Sequence, residues 1–233
     1  MAQATVLTRR QAAARPRVDE PVRSSRVVCY VGERIYFSTL EPEDAPVLER
    51  WINDPHIWAN LSMRPPCNAP RERAWIEKLG SDPSEHVFGI VVRAEDRLIG
   101  SVGLHRIHPA NRSAMLGISI GDAGYHNRGY GTEAVKLMLR YGFEELNLNR
   151  IGLAVYAHNL RAIRCYQKAG FVPEGCLRDS LYQGGRFHDE YRFAILRAEW
   201  DAAQKVDHPV RRAARRTVEL GRAPQAAVAC GSL

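Results

Sequence analysis

Apolar positions along the chain change their spacing several times, and each change marks an element. Residues 34–40 (RIYFSTL) form an apolar, β-prone run of strand length. Pro42, Glu43 and Asp44 then open a helix, since proline and acids suit a first turn. Val47, Leu48, Trp51 and Ile52 recur at helical spacing until Asn53-Asp54-Pro55 breaks the run. Beyond Pro65-Pro66 a second helix is expected over 71–79, carrying Trp75 and Ile76. Strand runs follow at 86–93, 98–107 and 114–120. Their separators, Ala94-Glu95-Asp96 and Pro109-Ala110-Asn111-Arg112, are short and rich in turn formers, which predicts antiparallel hairpins. The third run enters a loop holding Gly121, Gly124, Gly129 and Gly131 and becomes a helix near Thr132. Residues 150–156 (RIGLAVY) predict another strand, and Asn159 is a good cap for a helix over 160–169 that stops at Gly170. Residues 172–177 and 187–196 supply two closing strands, with Gly184-Gly185 as the turn. The expected fold is one α/β (α+β) domain over residues 30–200, its sheet mixed but largely antiparallel and flanked by helices.

Composition narrows the field. At 233 residues the chain has room for one large domain or two small ones. No apolar run approaches the roughly 18–20 residues of a membrane span. Residues 1–26 hold arginines but no continuous apolar core, so a secretory signal is not expected. A disordered basic tail is expected over 1–29, with an organelle transit peptide as the alternative. A second basic tail, disordered or a short helix, is expected over 201–233. The net charge of +7 lies in these tails, +4 in residues 1–30 and +3 in 201–233, so residues 31–200 balance. Specific nucleic-acid binding is therefore not expected of the folded part, although a non-specific RNA contact of the tails stays open. The five cysteines form no C-x-x-C pair and no zinc spacing, which predicts reduced thiols in the cytoplasm and no metal.

The glycine loop carries the chemistry. A strand that turns through glycines into a helix makes an anion site, because the first helix amides lack intrahelical partners and the dipole adds positive charge. Gly129 and Gly131 allow close backbone approach to a phosphate, with Arg128 between them as counter-charge. No Gly-Lys-Ser/Thr ending is present, so the nucleotide-kinase loop is excluded. The dinucleotide fingerprint is also excluded, since only two glycines fit and 115 residues precede the segment.

His126-Asn127-Arg128-Gly129-Tyr130-Gly131 resembles the acyl-coenzyme A signature Q/R-x-x-G-x-G/A of the GNAT superfamily of N-acetyltransferases, with His126 at the first place. Asn159-x-x-Ala162-x-x-x-Tyr166-x-Lys168-x-Gly170-Phe171 is similar to that family's second motif. Residues 170–178 are particularly like the RimJ/RimL branch, which acetylates protein N-termini, and the related spermidine/spermine N-acetyltransferases. The resemblance covers about residues 30–200 and implies the GNAT acyl-CoA N-acyltransferase fold, with acetyl-CoA as cosubstrate. It implies a pyrophosphate site at His126, Asn127, Arg128, Gly129, Tyr130, Gly131 and Thr132. It implies pantetheine along Ile118, Ser119 and Ile120, where that strand splays from the strand at 150–156. It also implies coenzyme contacts from Asn159 and Tyr166, with Tyr166 as general acid for the departing thiolate.

Where such sequences commonly carry a strand glutamate as base, this chain has Met115. A lysine or polyamine amine is mostly protonated at neutral pH, whereas an α-amine has a reference pKa near 8 and needs less help. Met115 therefore tilts the expected acceptor toward a protein N-terminal α-amine. Polyamine, amino-sugar and aminoglycoside acceptors remain alternatives, as does a non-catalytic acyl-CoA sensor, and homodimer formation is left open. His105, His108, His126, His158 and His188 flank the expected cleft and are read mostly as surface residues. Asp189 and Glu190 are candidates for a cationic substrate. The acids Glu43, Asp44, Glu49, Asp54, Glu72 and Glu77 are read mostly as solvated helix faces.

Overall fold

A computed structural model describes residues 24–207, so residues 1–23 and 208–233 of the two expected tails lie outside the described residues. Two short antiparallel strands, β1 (Val28–Val31) and β2 (Ile35–Ser38), come first. The helices α1 (Ala45–Asn53), α2 (Pro55–Trp58) and α3 (Ala69–Leu79) follow. The sharp α1–α2 break comes from Asp54, which stays extended and takes the His56 amide at 2.8 Å, while Pro55 starts the new turn. Next are β3 (His86–Val92), β4 (Arg97–His108) and β5 (Ser113–Ile120), all antiparallel neighbours. The helix α4 (Tyr130–Arg140) begins two residues earlier than the sequence suggested and runs into a π-helical turn at Tyr141–Glu145. The chain closes with β6 (Arg150–Tyr156), α5 (Leu160–Lys168), β7 (Val172–Gln183), β8 (Arg186–Leu196) and α6 (Arg197–Asp207).

The strands form one sheet in the order β1-β2-β3-β4-β5-β6-β8-β7. Helices cover both faces. On one side α4 and α5 bury Val135, Met138, Leu139 and Tyr166 against Phe37, Ile99, Leu104 and Ile151. On the other, α1 and α3 set Leu48 and Ile76 against Tyr36, Val91 and Leu98. The expected mixed, largely antiparallel sheet is what forms. Its one parallel pair, β5 with β6, is short. Ser113, Ala114 and Met115 pair with Arg150, Ile151 and Gly152, and pairing then stops although both strands continue. β6 instead follows β8 along its whole length, from Arg150 opposite Leu196 to Tyr156 opposite Glu190. A wedge-shaped gap opens between the upper halves of β5 and β6.

Three boundaries differ from the sequence reading. β7 continues past Leu177 to Gln183, because a register shift between Leu177 and Leu181 absorbs the irregular middle of the strand. The domain does not end at 200, since α6 runs to Asp207 and buries Trp200 against Phe143, ring centroids 5.4 Å apart. At the other end, folded structure begins before residue 30. Ser24 donates from Oγ to Asp96 at 2.7 Å, the Ser25 amide donates to the same carboxylate at 3.1 Å, and Tyr36 donates to it as well. Arg26 pairs with Asp44, whose residue is 5 % exposed.

Removing residues 24–27 leaves the buried Asp44 carboxylate without its guanidinium. A chain of residues 28–207 should therefore be less stable than one of 24–207 by about 1–3 kcal/mol, or about 2–4 °C in Tm per kcal/mol. The Asp96 carboxyl is depressed to about 2, first by the Tyr36 hydroxyl and also by Ser24 and Ser25. A depressed carboxyl stabilises the fold above its ordinary pKa and loses that contribution as pH falls through the folded value. The Tm gap between the two chains should thus narrow as pH drops from about 4 toward about 2. Coincident melts at neutral pH would show that the arm is not part of the domain.

Candidate active site

The glycine loop is built for an anion. Asn127 and Gly129 take left-handed φ values of 58° and 86°, which turn the chain abruptly into α4. The first helical bond is Glu133 N–H to the Gly129 carbonyl at 3.0 Å. Among the described residues, no backbone carbonyl or side chain accepts from the amides of residues 127–132. These amides gather where the helix dipole is positive.

A residue the motif reading did not single out for a role holds this loop in place. Arg34, between β1 and β2, donates to the Arg128 carbonyl at 2.9 Å and to Glu133 at 2.9 Å. Its own amide reaches the same carboxylate at 2.7 Å, and its guanidinium lies 4.6 Å from the Tyr130 ring centre. A side chain at Gly129 would place its Cβ 3.1 Å from Arg34 Nη2. Arg34 and Glu133 are 99 residues apart, so no local spacing announces the pair.

A cavity of about 610 Å³ runs from this loop through the gap between β5 and β6. Ile118, Ser119, Ile120, His126, Asn127, Gly129, Gly131, Thr132, Asn159 and Tyr166 all line it, so the structure brings together ten of the twelve residues named from sequence. Arg128 and Tyr130 are engaged elsewhere, Arg128 over Tyr125 at 5.6 Å and Tyr130 under Arg34. The Gly121 amide bonds Ile99 of β4, and strand alternation then turns the amides and carbonyls of Ile118 and Ile120 toward the gap. The Ile120 carbonyl is already taken, since His126 Nε2 lies 2.8 Å from it. Arg161 approaches His126 Nδ1 at 2.6 Å. A guanidinium can only donate, so Nδ1 accepts and Nε2 carries the proton. The histidine that replaces Gln or Arg thus ties the loop to the strand end rather than facing the ligand with a free nitrogen.

Asn159 caps α5 by accepting the Ala162 amide at 3.2 Å, which leaves its NH₂ as the group able to reach into the cavity. Two turns later Tyr166 is buried, its ring set edge-on to Phe171 at 5.9 Å. Burial, with a smaller contribution from Cys165, pushes its hydroxyl above the usual phenol range, so it is protonated at neutral pH. Thr132 donates to Cys165 Sγ at 3.4 Å and links the start of the loop helix to the second half of α5.

The cavity reaches both faces of the sheet. Leu116, Ile118 and Ile120 belong to the α4 face. A Cβ on Gly121 would collide with Trp51 of α1, so Gly121, Ser119, Gly117 and Met115 belong to the opposite face. There the wall includes Asn60, Leu61 and Ser62 beyond α2, and His105, Tyr156 and Glu190 from the sheet. His105 Nδ1 contacts the Glu85 carboxylate. Glu190 lies in the lining and pairs with Arg192 at 2.6 Å, whereas Asp189 accepts the Asp179 amide at 3.0 Å. Two helix acids expected on solvated faces are buried, Asp44 beside Arg26 and Glu72 beside the Cys67 thiol. Each is neutralised or bonded locally, which a face-by-face reading of a helix cannot see. Among the described residues no cluster of His, Cys, Asp and Glu is arranged to hold a metal, and no helix is long and apolar enough to cross a membrane.

A sheet opened between two parallel strands, beside a helix start with free amides, has the shape and charge to suit a long ligand with an anionic end. Residues 34–172 match the family model described as Acetyltransferase (GNAT) domain, and the chain belongs to that family of N-acetyltransferases. It is 32% identical over 171 residues to the uncharacterized N-acetyltransferase p20 of Bacillus licheniformis, covering 72% of this chain and 96% of that one. It is 30% identical to the putative ribosomal N-acetyltransferase YdaF of Bacillus subtilis, over 74% of this chain and 97% of the relative. Among solved structures, the spermidine N-acetyltransferase of Vibrio cholerae in complex with CoA and spermine superposes with a TM-score of 0.67 at 28% identity. That match covers 72% of this chain and 98% of the other.

Arg34→Ala tests the electrostatics of the loop. Without the guanidinium, Glu133 keeps the backbone amides of residues 34 and 35 but loses its cationic partner in the first turn of α4, where its charge would oppose a bound phosphate. A repulsion of about 1 kcal/mol is expected, or about five-fold in the Kd for CoA measured by calorimetry. A Kd within two-fold of the unaltered protein would sink this role for Arg34.

Proposed function

We propose that the chain transfers an acetyl group from acetyl-CoA directly to a primary amine, with a protein N-terminal α-amine as acceptor. The observation that carries the reading is the gap between β5 and β6, a cavity whose lining brings together the loop with free amides at residues 127–132 and Tyr166. The residues present suit the coenzyme. The amides and Gly129 suit a pyrophosphate, and the outward N–H and C=O of Ile118 with the N–H of Ile120 suit the amide-bearing pantetheine. When bound, acetyl-CoA supplies a thioester-activated acetyl group. The protein holds donor and amine in one cavity from opposite faces of the sheet, which converts a bimolecular encounter into an oriented one. As the nitrogen–carbon bond forms and the carbon–sulfur bond breaks, Tyr166 gives its phenolic proton to the departing sulfur.

The acceptor class is argued from charge. A polyamine carries several separated cations and needs several free carboxylates. Glu190 is the carboxylate in the described lining, and Arg192 already pairs with it. Asp44 is held by Arg26 of the N-terminal arm, and Asp54 and Glu72 are engaged within the helical layer. A peptide N-terminus offers one amine and then polar backbone, which Asn60, Ser62 and Tyr156 can meet. The similarity to a spermidine N-acetyltransferase keeps polyamines as the second reading. The four described cysteines are free thiols, which supports placing the activity in the cytoplasm.

An acceptor screen with unblocked peptides, polyamines and amino-sugars, read by product mass, tests the class. Preference for spermidine over every peptide would replace the first reading with the second. Tyr166→Phe should lower kcat by at least about 10-fold with little change in CoA affinity, since general acid help contributes about 10²- to 10⁴-fold and water can replace part of it. Full turnover by this variant would leave Tyr166 a packing residue. Gly129→Val should do the opposite and weaken CoA binding by at least about 10-fold, because a β-branched side chain cannot sit at φ 86° against Arg34. An unchanged Kd would remove the phosphate assignment.

A further inference from the structure

The cavity holds a second proton-handling group, outside both sequence motifs, on the face opposite α4. His105 stands on β4 directly across from Met115 of β5, where the sequence offers no carboxylate. Its ring does not stand out from the sheet. Its Nε2 lies 2.8 Å from where a Gly117 Cβ would be and 3.2 Å from where a Gly103 Cβ would be. Gly103 and Gly117 are themselves partners across β4 and β5, so the two glycines make a bare floor and the imidazole lies over it. Any side chain at Gly117 would strike the ring. A register irregularity follows between His105 and His108, with Arg106 at a left-handed φ of 50°. Such bulges re-aim side chains, and here the turn brings the Arg106 amide to Glu85 Oε1 at 3.2 Å. The other Glu85 oxygen meets His105 Nδ1. Glu85 is thus anchored from behind and holds one ring nitrogen, while the ring itself lines the cavity beside Met115, Gly117 and Arg106.

We propose that His105 is the proton acceptor for the attacking amine and that Glu85 is its positioning residue, an inference that rests on the N-acetyltransferase reading. An ionised carboxylate only accepts hydrogen bonds, so Nδ1 carries a proton, and in the neutral form of the ring the Nε2 lone pair is the one available. The amine nitrogen uses its lone pair to bond the acetyl carbon, and the carbon–sulfur electron pair leaves on sulfur. One proton of the now cationic nitrogen passes to His105 Nε2, and sulfur takes the Tyr166 proton. Imidazolium and phenolate are then neutralised through solvent, which returns both residues to their starting forms with the amide and free CoA as products. The group needed where Met115 stands comes from the neighbouring strand, one position across the sheet.

Two measurements test this. In the free protein, proton–nitrogen correlation of ¹⁵N-labelled His105 should show the neutral ring protonated on Nδ1, and Glu85→Gln should shift that tautomer. In turnover assays the probes are an unblocked peptide with N-terminal alanine and spermidine, using whichever the unaltered protein acetylates. His105→Gln should lower kcat/KM for that amine by about 100-fold while Tm and the Kd for CoA stay unchanged. His105→Ala should regain activity when free imidazole is added, since the glycine floor leaves room for it. Glu85→Gln should lose at least about 10-fold with the same unchanged CoA affinity. A ring protonated on Nε2, a His105→Gln protein within two-fold of normal, or a loss that tracks weakened CoA binding would each overturn the proposal. Spermidine preference in the unaltered protein would revise the acceptor class and leave the test of His105 standing.

Discussion

The structure depends on the point where β5 and β6 stop pairing. In a sheet interior each backbone N–H and C=O normally finds a partner in the next strand, and a buried group without one costs about 1–3 kcal/mol. Here the only parallel pair among the described residues holds for three positions and then parts, while β6 keeps full register with β8 instead. The backbone of Ile118 and the Ile120 amide are therefore left open in the middle of the molecule, the Ile120 carbonyl being met by His126. A strand-like ligand would restore what the neighbour withheld, in keeping with the proposed coenzyme site. Everything else in the site is placed relative to that opening.

The wedge is fixed by contacts from distant parts of the chain. At the loop end, Arg34 joins the β1–β2 turn to the start of α4 by bonding Glu133 and the Arg128 carbonyl. His126 joins the loop to the last carbonyl of β5, with Arg161 of α5 behind it. Tyr166 is held by core packing against Phe171, which sets the phenol without using its hydroxyl. Free amides and a protonated phenol are thereby kept in the lining of one cavity. Rigid placement of this kind matters more than the strength of any single contact, because orientation contributes only when the groups do not move.

The two faces of the sheet have different tasks. The α4 and α5 face carries the larger core and the loop, whereas the α1–α3 face carries a smaller core, Trp51 over Gly121, and the His105–Glu85 pair. A cavity open to both faces allows two substrates to meet inside the sheet. Glycine matters at two kinds of place in this arrangement. Gly129 takes a backbone conformation that other residues reach only with strain, and Gly103 and Gly117 clear floor space for a side chain from the next strand.

The order of strands and helices was legible in the sequence because periodicity reports which face of an element is buried, and that is a local property. So were the loop at Gly129, the cap at Asn159 and the placement of Tyr166 two turns later, since each rests on residues within ten positions of one another. What stayed hidden depends on register between segments far apart. The Ser24–Asp96 and Arg26–Asp44 contacts, the burial of Trp200 and the Arg34–Glu133 clamp join segments far apart in sequence, so no local pattern announces them. His105 read as one surface histidine among several, because only strand pairing sets it across from Met115 and beside Glu85. The sequence determined which elements form and where an anion could bind. The tertiary structure alone decided which charges neutralise each other and which histidines line the cavity, because those outcomes follow from distances that no local spacing encodes.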